Sequence, residues 1–389
     1  MLQREAVSAA GTAPAPWIVL PRGPAQVTWC LFLLLVPIYV GSSGLPQPSD
    51  LLAVLLAPMA VAGWNGRLER RYAHILRPLL WFTVWVCLVN YGWAAVLGRW
   101  GTLKDFLIFP LFYVFNVTVL LSAFLLARRD RQRFLRLTVD AIFVSVVFQV
   151  VASFSFRAAI RGTLFFNSPN QLGYYALLAA CLFAVTQRPL SLGRLRSSIG
   201  VTCCAYLALL SASRAALAGI AILLFLLVFA NPKTIIVASL AAVGLLTLGG
   251  PVSKALDAAE QRATEGRHSK ESFAEERGYD RLWQYPEYLA VGAGEGAWER
   301  FAAPGEQPRE LHSSFSAVVF SYGVVGVTLF LVFLVRVFRG APLRMSAMIV
   351  PTLAYTIAHN GLRFTMFWVL LAVFIVLQQA TAQPPARAG

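Results

Sequence analysis

The sequence predicts an all-α, polytopic membrane protein. Hydrophobic residues make up 58% of the 389-residue chain and charged residues only 13%, whereas a soluble domain carries about a quarter charged residues. Mean hydropathy is +0.65. The apolar runs approach or exceed the roughly 20 residues that a helix needs to cross a bilayer. None shows the alternating pattern of a barrel strand, about ten residues long. Helices are then the way to satisfy the backbone inside lipid.

Twelve candidate spans follow along the chain, near residues 25–40, 50–65, 77–98, 103–126, 134–156, 171–187, 196–212, 214–230, 233–250, 312–335, 343–358 and 360–379. The first is a Trp-Cys-Leu-Phe-Leu-Leu-Leu run, expected to serve as an uncleaved anchor because residues 1–24 lack a compact signal peptide. The second is short. Arginine clusters bound the third to fifth spans, and the polar turn Ser211–Arg214 divides the seventh from the eighth. The result is a tail (1–24), nine spans (25–250), a long polar loop (251–311), three more spans (312–379) and a second tail (380–389).

The net charge of +15 is better explained by topology than by a nucleic-acid partner. With the first residue in the cytoplasm, cytoplasmic segments carry 19 Lys and Arg and short outer loops carry 6, with 8 in the long loop. Long loops are largely exempt from the positive-inside rule, so 19 against 6 sets the orientation. Both termini are expected in the cytoplasm and the long loop on the outer side, which in a bacterium is the periplasm. The five cysteines, Cys30, Cys87, Cys181, Cys203 and Cys204, all fall in apolar spans. No disulfide is expected in the loop, and no Cys/His spacing suggests a metal.

The middles of the spans are nearly free of ionisable residues; Asp50, Asp105 and Asp140 sit near span ends. A coupled transporter normally keeps a carboxylate or a broken helix near the midplane, so this pattern lowers a transporter reading. Polar residues gather instead at the outer ends of helices, in four places. They are Arg161 with Asn167–Gln171, including Asn170; Ser211–Arg214; the long loop with Arg277, Arg281, the Gly292–Gly296 run and His312; and His359–Arg363.

Arg214 has no acidic residue in its turn. It reads as a snorkelling arginine or as a fork for an anion, and a guanidinium suits phosphate bidentately. Residues 271–285 read as one short amphipathic helix anchored by Phe273 and Trp283. Arg277 and Arg281, four apart, then share a face, as a solvated basic strip balanced by Glu275, Glu276 and Asp280 or as part of a pocket. The Gly-Ala-Gly-Glu-Gly run lacks the context of a nucleotide loop and reads as turn chemistry. His312 is placed in the first turn of the tenth span, where the positive helix end disfavours imidazolium. It is the general-base candidate, with His359 as its rival. The loop aromatics, among them Tyr279, Trp283 and Trp298, suit either sugar stacking or an interfacial belt.

Taken together, the segment from about Asn167 to Arg363 resembles the O-antigen ligase and polymerase family of bacterial membrane glycosyltransferases. The resemblance rests on Asn167-Ser168-Pro169-Asn170-Gln171-Leu172 entering a span, Ser211-Ala212-Ser213-Arg214, Arg281 with Trp283 ahead of a Gly-x-Gly, and His312-Ser313-Ser314-Phe315 with Tyr322-Gly323-Val324-Val325-Gly326. It implies a GT-C-like helical fold in the inner membrane and no cofactor or required metal. It also implies transfer of a glycan from undecaprenyl diphosphate to an acceptor hydroxyl on the periplasmic face. Arg214 and Arg281 would bind the diphosphate and His312 would be catalytic. Arg161, Asn170, Arg277, His359 and Arg363 are further substrate-binding candidates. The family histidine is often followed by Asn, and Ser313 in its place leans the reading towards a polysaccharide polymerase. The alternatives are a ligase acting on lipid A–core, a protein O-glycosyltransferase, a flippase for lipid-linked sugar and a non-catalytic scaffold among polysaccharide assembly proteins.

Overall fold

The computed structural model describes residues 18–42, 44–62, 64, 66–100, 106–155, 162–190, 194–230, 257, 260, 272–302 and 309–382. All regular structure among them is helical. The expected ninth span (233–250), Arg161 and most of residues 251–271 lie outside the described residues.

Helices α1 (Pro24–Leu35), α2 (Pro48–Val61), α3 (Arg70–Val96), α4 (Ile108–Arg129), α5 (Arg131–Ser155), α6 (Pro169–Thr186), α7 (Arg194–Ser211) and α8 (Arg214–Ala230) follow the expected spans closely. After the loop come α11 (Ser314–Phe338), α12 (Leu343–Ala347), α13 (Val350–Ala358) and α14 (Thr365–Ala382), while the loop itself contributes α9 (Phe273–Arg277) and α10 (Arg281–Gln284). Four helices, α3, α4, α5 and α11, are long and apolar enough to cross a membrane. Shorter apolar helices, among them α1, α2, α7, α8 and α14, accompany them. α14 is central: its residues from Met366 to Leu377 are fully buried, and it packs on α4, α5 and α6.

The starts of these helices are written locally. At α6 the Ser168 side chain accepts from the Gln171 amide and Pro169 occupies the first turn, so the Asn-Ser-Pro-Asn-Gln run acts as a helix start. At α11 the Ser313 hydroxyl accepts from the Phe315 and Ser316 amides.

Two expectations change. The expected single helix over 271–285 is, across the described residues 272–285, two helices, because Gly278 takes φ 75° and ends α9 in a left-handed cap. Leu311 packs so closely there that a Cβ on Gly278 would lie 2.5 Å from its side chain. Glycine alone accepts this conformation at no steric cost, and Arg277 and Arg281 end up on different helices. His312 does not lie in the first turn of α11 either: Ser313 is the N-cap, so His312 precedes the helix.

The long loop also comes back into the bundle. Ala293 and Gly294 donate from their amides to the carbonyls of Phe320 and Ser321, both at 2.9 Å. α11 breaks at this point, where Gly323 adopts φ 61° and ψ −166°. A Cβ on Gly323 would lie 2.7 Å from the Ala290 carbonyl oxygen. The Tyr-Gly-x-x-Gly motif therefore makes a kink that admits loop backbone, with freed carbonyls re-satisfied from outside the helix. Trp85 donates to the Tyr322 carbonyl at 2.8 Å and Trp93 to the Gly292 carbonyl at 2.9 Å. Around the kink Phe82, Tyr113 and Tyr322 meet edge to face, tying α3, α4 and α11 together.

Candidate functional site

A cavity of about 750 Å³ opens at one end of the bundle. Its walls are the end of α1, the starts of α2, α4, α6 and α14, the end of α13 and the loop residues Glu310, Leu311 and His312. Of the residues singled out from the sequence, Asn170, His312, His359 and Arg363 line it. Three of the four polar clusters thus converge on one space.

The rest are placed differently. Arg281 is 7% exposed, donates to the Arg309 carbonyl and lies with its guanidinium 5.6 Å from the ring centres of both Trp298 and Phe301. Burial lowers its pKa. Arg277 pairs with Glu276 at 3.0 Å. Arg214 is exposed at the first position of α8. None of these three is on the cavity wall. α8 packs against α13, whose last residues lead into His359.

The serines that follow His312 anchor its segment from two sides. The Ser313 hydroxyl lies 2.8 Å from the Tyr279 hydroxyl, which donates to the Ile357 carbonyl at 2.8 Å. The next residue, Ser314, donates from its amide and its hydroxyl to the His359 carbonyl, each at 3.2 Å, and its hydroxyl accepts from the Leu362 amide at 3.2 Å. The segments carrying the two histidines are stitched together by these bonds. Burial pulls the His312 imidazole below its ordinary value; Glu310 opposes the shift, while Arg277 and Arg281 reinforce it. The ring is therefore neutral at neutral pH and can accept a proton.

His359 continues a stack of rings. Its imidazole lies 4.8 Å from the Tyr355 ring, and Tyr355 lies 4.1 Å from Tyr174 with only 10° between their planes. All three line the cavity. The Tyr355 hydroxyl donates to the Asn170 carbonyl at 3.1 Å, which fixes the start of α6 against α13.

Arg363 forms a network that sequence reading missed. Glu295, from the Gly-rich run, is completely buried and pairs with Arg363 at 2.8 Å. The Tyr113 hydroxyl donates to it at 3.0 Å. Its backbone is clamped by Asn90, which accepts from the Glu295 amide at 3.1 Å and donates to its carbonyl at 3.3 Å. Glu310 takes a second side of the Arg363 guanidinium, and the Phe109 ring packs 4.6 Å away. Burial raises the Glu295 carboxyl, and Arg363 and Tyr113 offset part of that rise. The signal in the sequence was a lone glutamate inside Gly-Ala-Gly-Glu-Gly, but its partner is 68 residues away.

Several polar atoms at the cavity have no partner within the protein: the Tyr174 hydroxyl, the Asn360 side-chain nitrogen and the Arg363 Nε. Buried groups of this kind cost free energy unless something satisfies them. Exposed Leu51, Val54 and Leu111, 63%, 59% and 51% accessible, continue the cavity wall onto the apolar flank of the bundle. Among the described residues, no group of three or more His, Cys, Asp or Glu side chains is placed to hold a metal ion. Comparison with known protein families and with characterised proteins finds no match to this chain.

Proposed function

We propose that this chain is a membrane glycosyltransferase of the O-antigen ligase and polymerase type. In this reading about twelve transmembrane helices form a GT-C-like bundle in a bacterial inner membrane, with both termini cytoplasmic and the cavity end facing the periplasm. The donor is a glycan on undecaprenyl diphosphate and the acceptor is a saccharide hydroxyl, which leans the reading towards a polysaccharide polymerase.

The observation that supports this most is the shared cavity of His312, His359, Asn170 and Arg363, with an apolar flank formed by Leu51, Val54 and Leu111. A lipid-borne substrate needs such a combination of a polar chamber and a side continuous with the hydrocarbon. His312 supplies the base. Its imidazole takes the proton of the acceptor hydroxyl as the oxygen bonds to the anomeric carbon. The bond from that carbon to the diphosphate oxygen breaks, and the electron pair leaves with undecaprenyl diphosphate. The configuration inverts. A positioned base contributes about 10²–10⁴-fold.

Diphosphate is a competent leaving group that needs charge stabilisation more than a proton. Arg281 and Arg214 are assigned to it in this reading, with Arg277 a further substrate-binding candidate.

The test is reconstitution of the purified chain in liposomes with a lipid-diphosphate glycan. A ladder of products of increasing length supports a polymerase, and a single transfer to lipid A–core supports a ligase. His312→Ala should abolish either product. Transfer that survives this substitution removes His312 from the chemistry, and a chain that moves the glycan across the bilayer without forming a bond is a flippase.

A further inference from the structure

We propose that Arg363 is a positioning residue for His312: anchored on the buried Glu295, its guanidinium grips Glu310 and so sets where the strap carrying the imidazole lies on the cavity wall. The chemical consequence rests on the glycosyltransferase reading above; the grip itself rests on the ion-pair geometry.

The strap is residues 309–313, which form no helix. Leu311 is fully buried in one cluster with Ala293, Phe301, Ala317 and Phe320. His312, next to it, is exposed on the cavity wall. An irregular backbone keeps two soft dihedrals per residue, so an imidazole there holds one place only if its neighbours are tied. After His312, the Ser313 hydroxyl meets that of Tyr279, and Ser314 donates to the His359 carbonyl. Before it, Arg281 donates to the Arg309 carbonyl and the Glu310 carboxylate pairs with Arg363. Glu310 and Ser314 thus tie both sides of His312 to one stretch of chain, His359 to Arg363.

Arg363 is placed to serve as a fixed post. It stands just before α14, the central helix of the bundle. Its Nη2 donates to one Glu295 oxygen at 2.8 Å, and the other oxygen accepts from the Tyr113 hydroxyl at 3.0 Å. Asn90 clamps the Glu295 backbone, and the neighbouring Ala293 and Gly294 are bonded into the α11 kink. The Arg363 carbonyl accepts from the Asn116 side chain at 3.5 Å. Stripping the partner from a buried ion pair costs far more than releasing an exposed one. The guanidinium therefore stays where Glu295 holds it.

The Nη1 of Arg363 reaches the other way, to Glu310. The two carboxylates differ in setting: the Glu295 side chain is 0% exposed and that of Glu310 38%. The buried one fixes the post and the solvated one carries the strap. A planar guanidinium engages two carboxylates through separate nitrogens with a fixed angle between them, which an ammonium on a flexible stem does not. A general base must lie within hydrogen-bond reach of the proton it takes, and small misplacements are costly. Arg363 thus acts through the place of His312 and not on the reacting atoms.

Glu310→Ala cuts the outer arm and leaves the buried Glu295–Arg363 pair whole, so the fold is not put at risk. Full-length protein in lipid nanodiscs is compared with wild type by amide hydrogen exchange. Peptides covering residues 309–314 should exchange about fivefold faster or more, while those from Met366 to Leu377 keep the wild-type rate. Unchanged exchange at 309–314, or equal acceleration in both regions, overturns the proposal. Glycan transfer supplies the second readout. Glu310→Ala should lower kcat about tenfold or more and leave KM within about twofold of wild type. In a His312→Ala background the same substitution should change the residual transfer by no more than about twofold, because its effect is exerted through the imidazole. A full loss repeated in that background, or a loss confined to KM, would show Glu310 acting on substrate and overturn the positioning role. Faster exchange with an unchanged kcat overturns it as well. If 309–314 loosens while neither wild type nor variant forms product, the glycosyltransferase reading fails and the grip on the strap stands.

Discussion

Arginines crowd both ends of the bundle, yet they do different work at each. At the end away from the cavity most of them bond to backbone carbonyls. Arg129 donates to the carbonyls of Met59, Ala60 and Ala62 at 3.1–3.3 Å, capping α2. Arg128 reaches the Arg67 carbonyl and Arg336 the His74 carbonyl. Arg196 pairs with Asp140 inside the bundle. At the cavity end the guanidinium groups meet carboxylates and rings: Arg363 between Glu295 and Glu310, Arg281 over Trp298 and Phe301, and Arg300 within 4.7 Å of the Phe301 ring centre. Arg300 has its pKa pulled down to about 10, chiefly by burial. Cations that satisfy helix carbonyls serve the fold. Cations buried against carboxylates and rings shape a local field, and the charge of Arg281 is one of those that bear on His312.

This contrast can be broken or sharpened by substitution, beginning with the largest effect. His312→Ala should cut glycan transfer by about 10²–10⁴-fold without shifting the thermal unfolding midpoint in detergent; a matching fall in the midpoint would make the residue structural. Glu295→Ala strips Arg363 of its buried partner and should cost about 3–5 kcal/mol of stability, seen as a lower midpoint. An unchanged midpoint would mean that the pair contributes nothing to the fold. Gly323→Ala forces a side chain into the kink and should cost about 2–3 kcal/mol, read the same way. Arg129→Ala at the opposite end should cost about 1–2 kcal/mol and leave transfer per folded molecule intact. If Arg129→Ala abolished transfer in folded protein, the division between the two ends would not hold.

Much of the helical layout was legible because an apolar run bounded by polar turns has few other solutions in lipid. The starts of α6 and α8 match the expected span starts within two residues. The gathering of Asn170, His312, His359 and Arg363 was also legible, since antiparallel connections bring alternate helix ends to one side. What failed was local or long-range. Residues 271–285 carry helix-favouring side chains, but the packing of Leu311 onto Gly278 sets a left-handed cap that no periodicity reveals. Glu295 looked like part of a turn because its partners, Arg363, Tyr113 and Asn90, come from three distant segments. The kink at Gly323 was visible only as a motif; its purpose, admitting the loop backbone, needed the structure.

The most direct test is the pH dependence of single-turnover glycan transfer for the wild type beside His312→Ala. Burial holds the His312 imidazole below the ordinary histidine value of 6.5. The neutral, proton-accepting form therefore persists below that pH and is lost only as pH falls through the lowered value. The wild-type rate should be flat at neutral pH and should fall on a limb centred below 6.5, and His312→Ala should lose both the rate and the limb. A variant that keeps the wild-type rate and the same acidic limb would contradict the account.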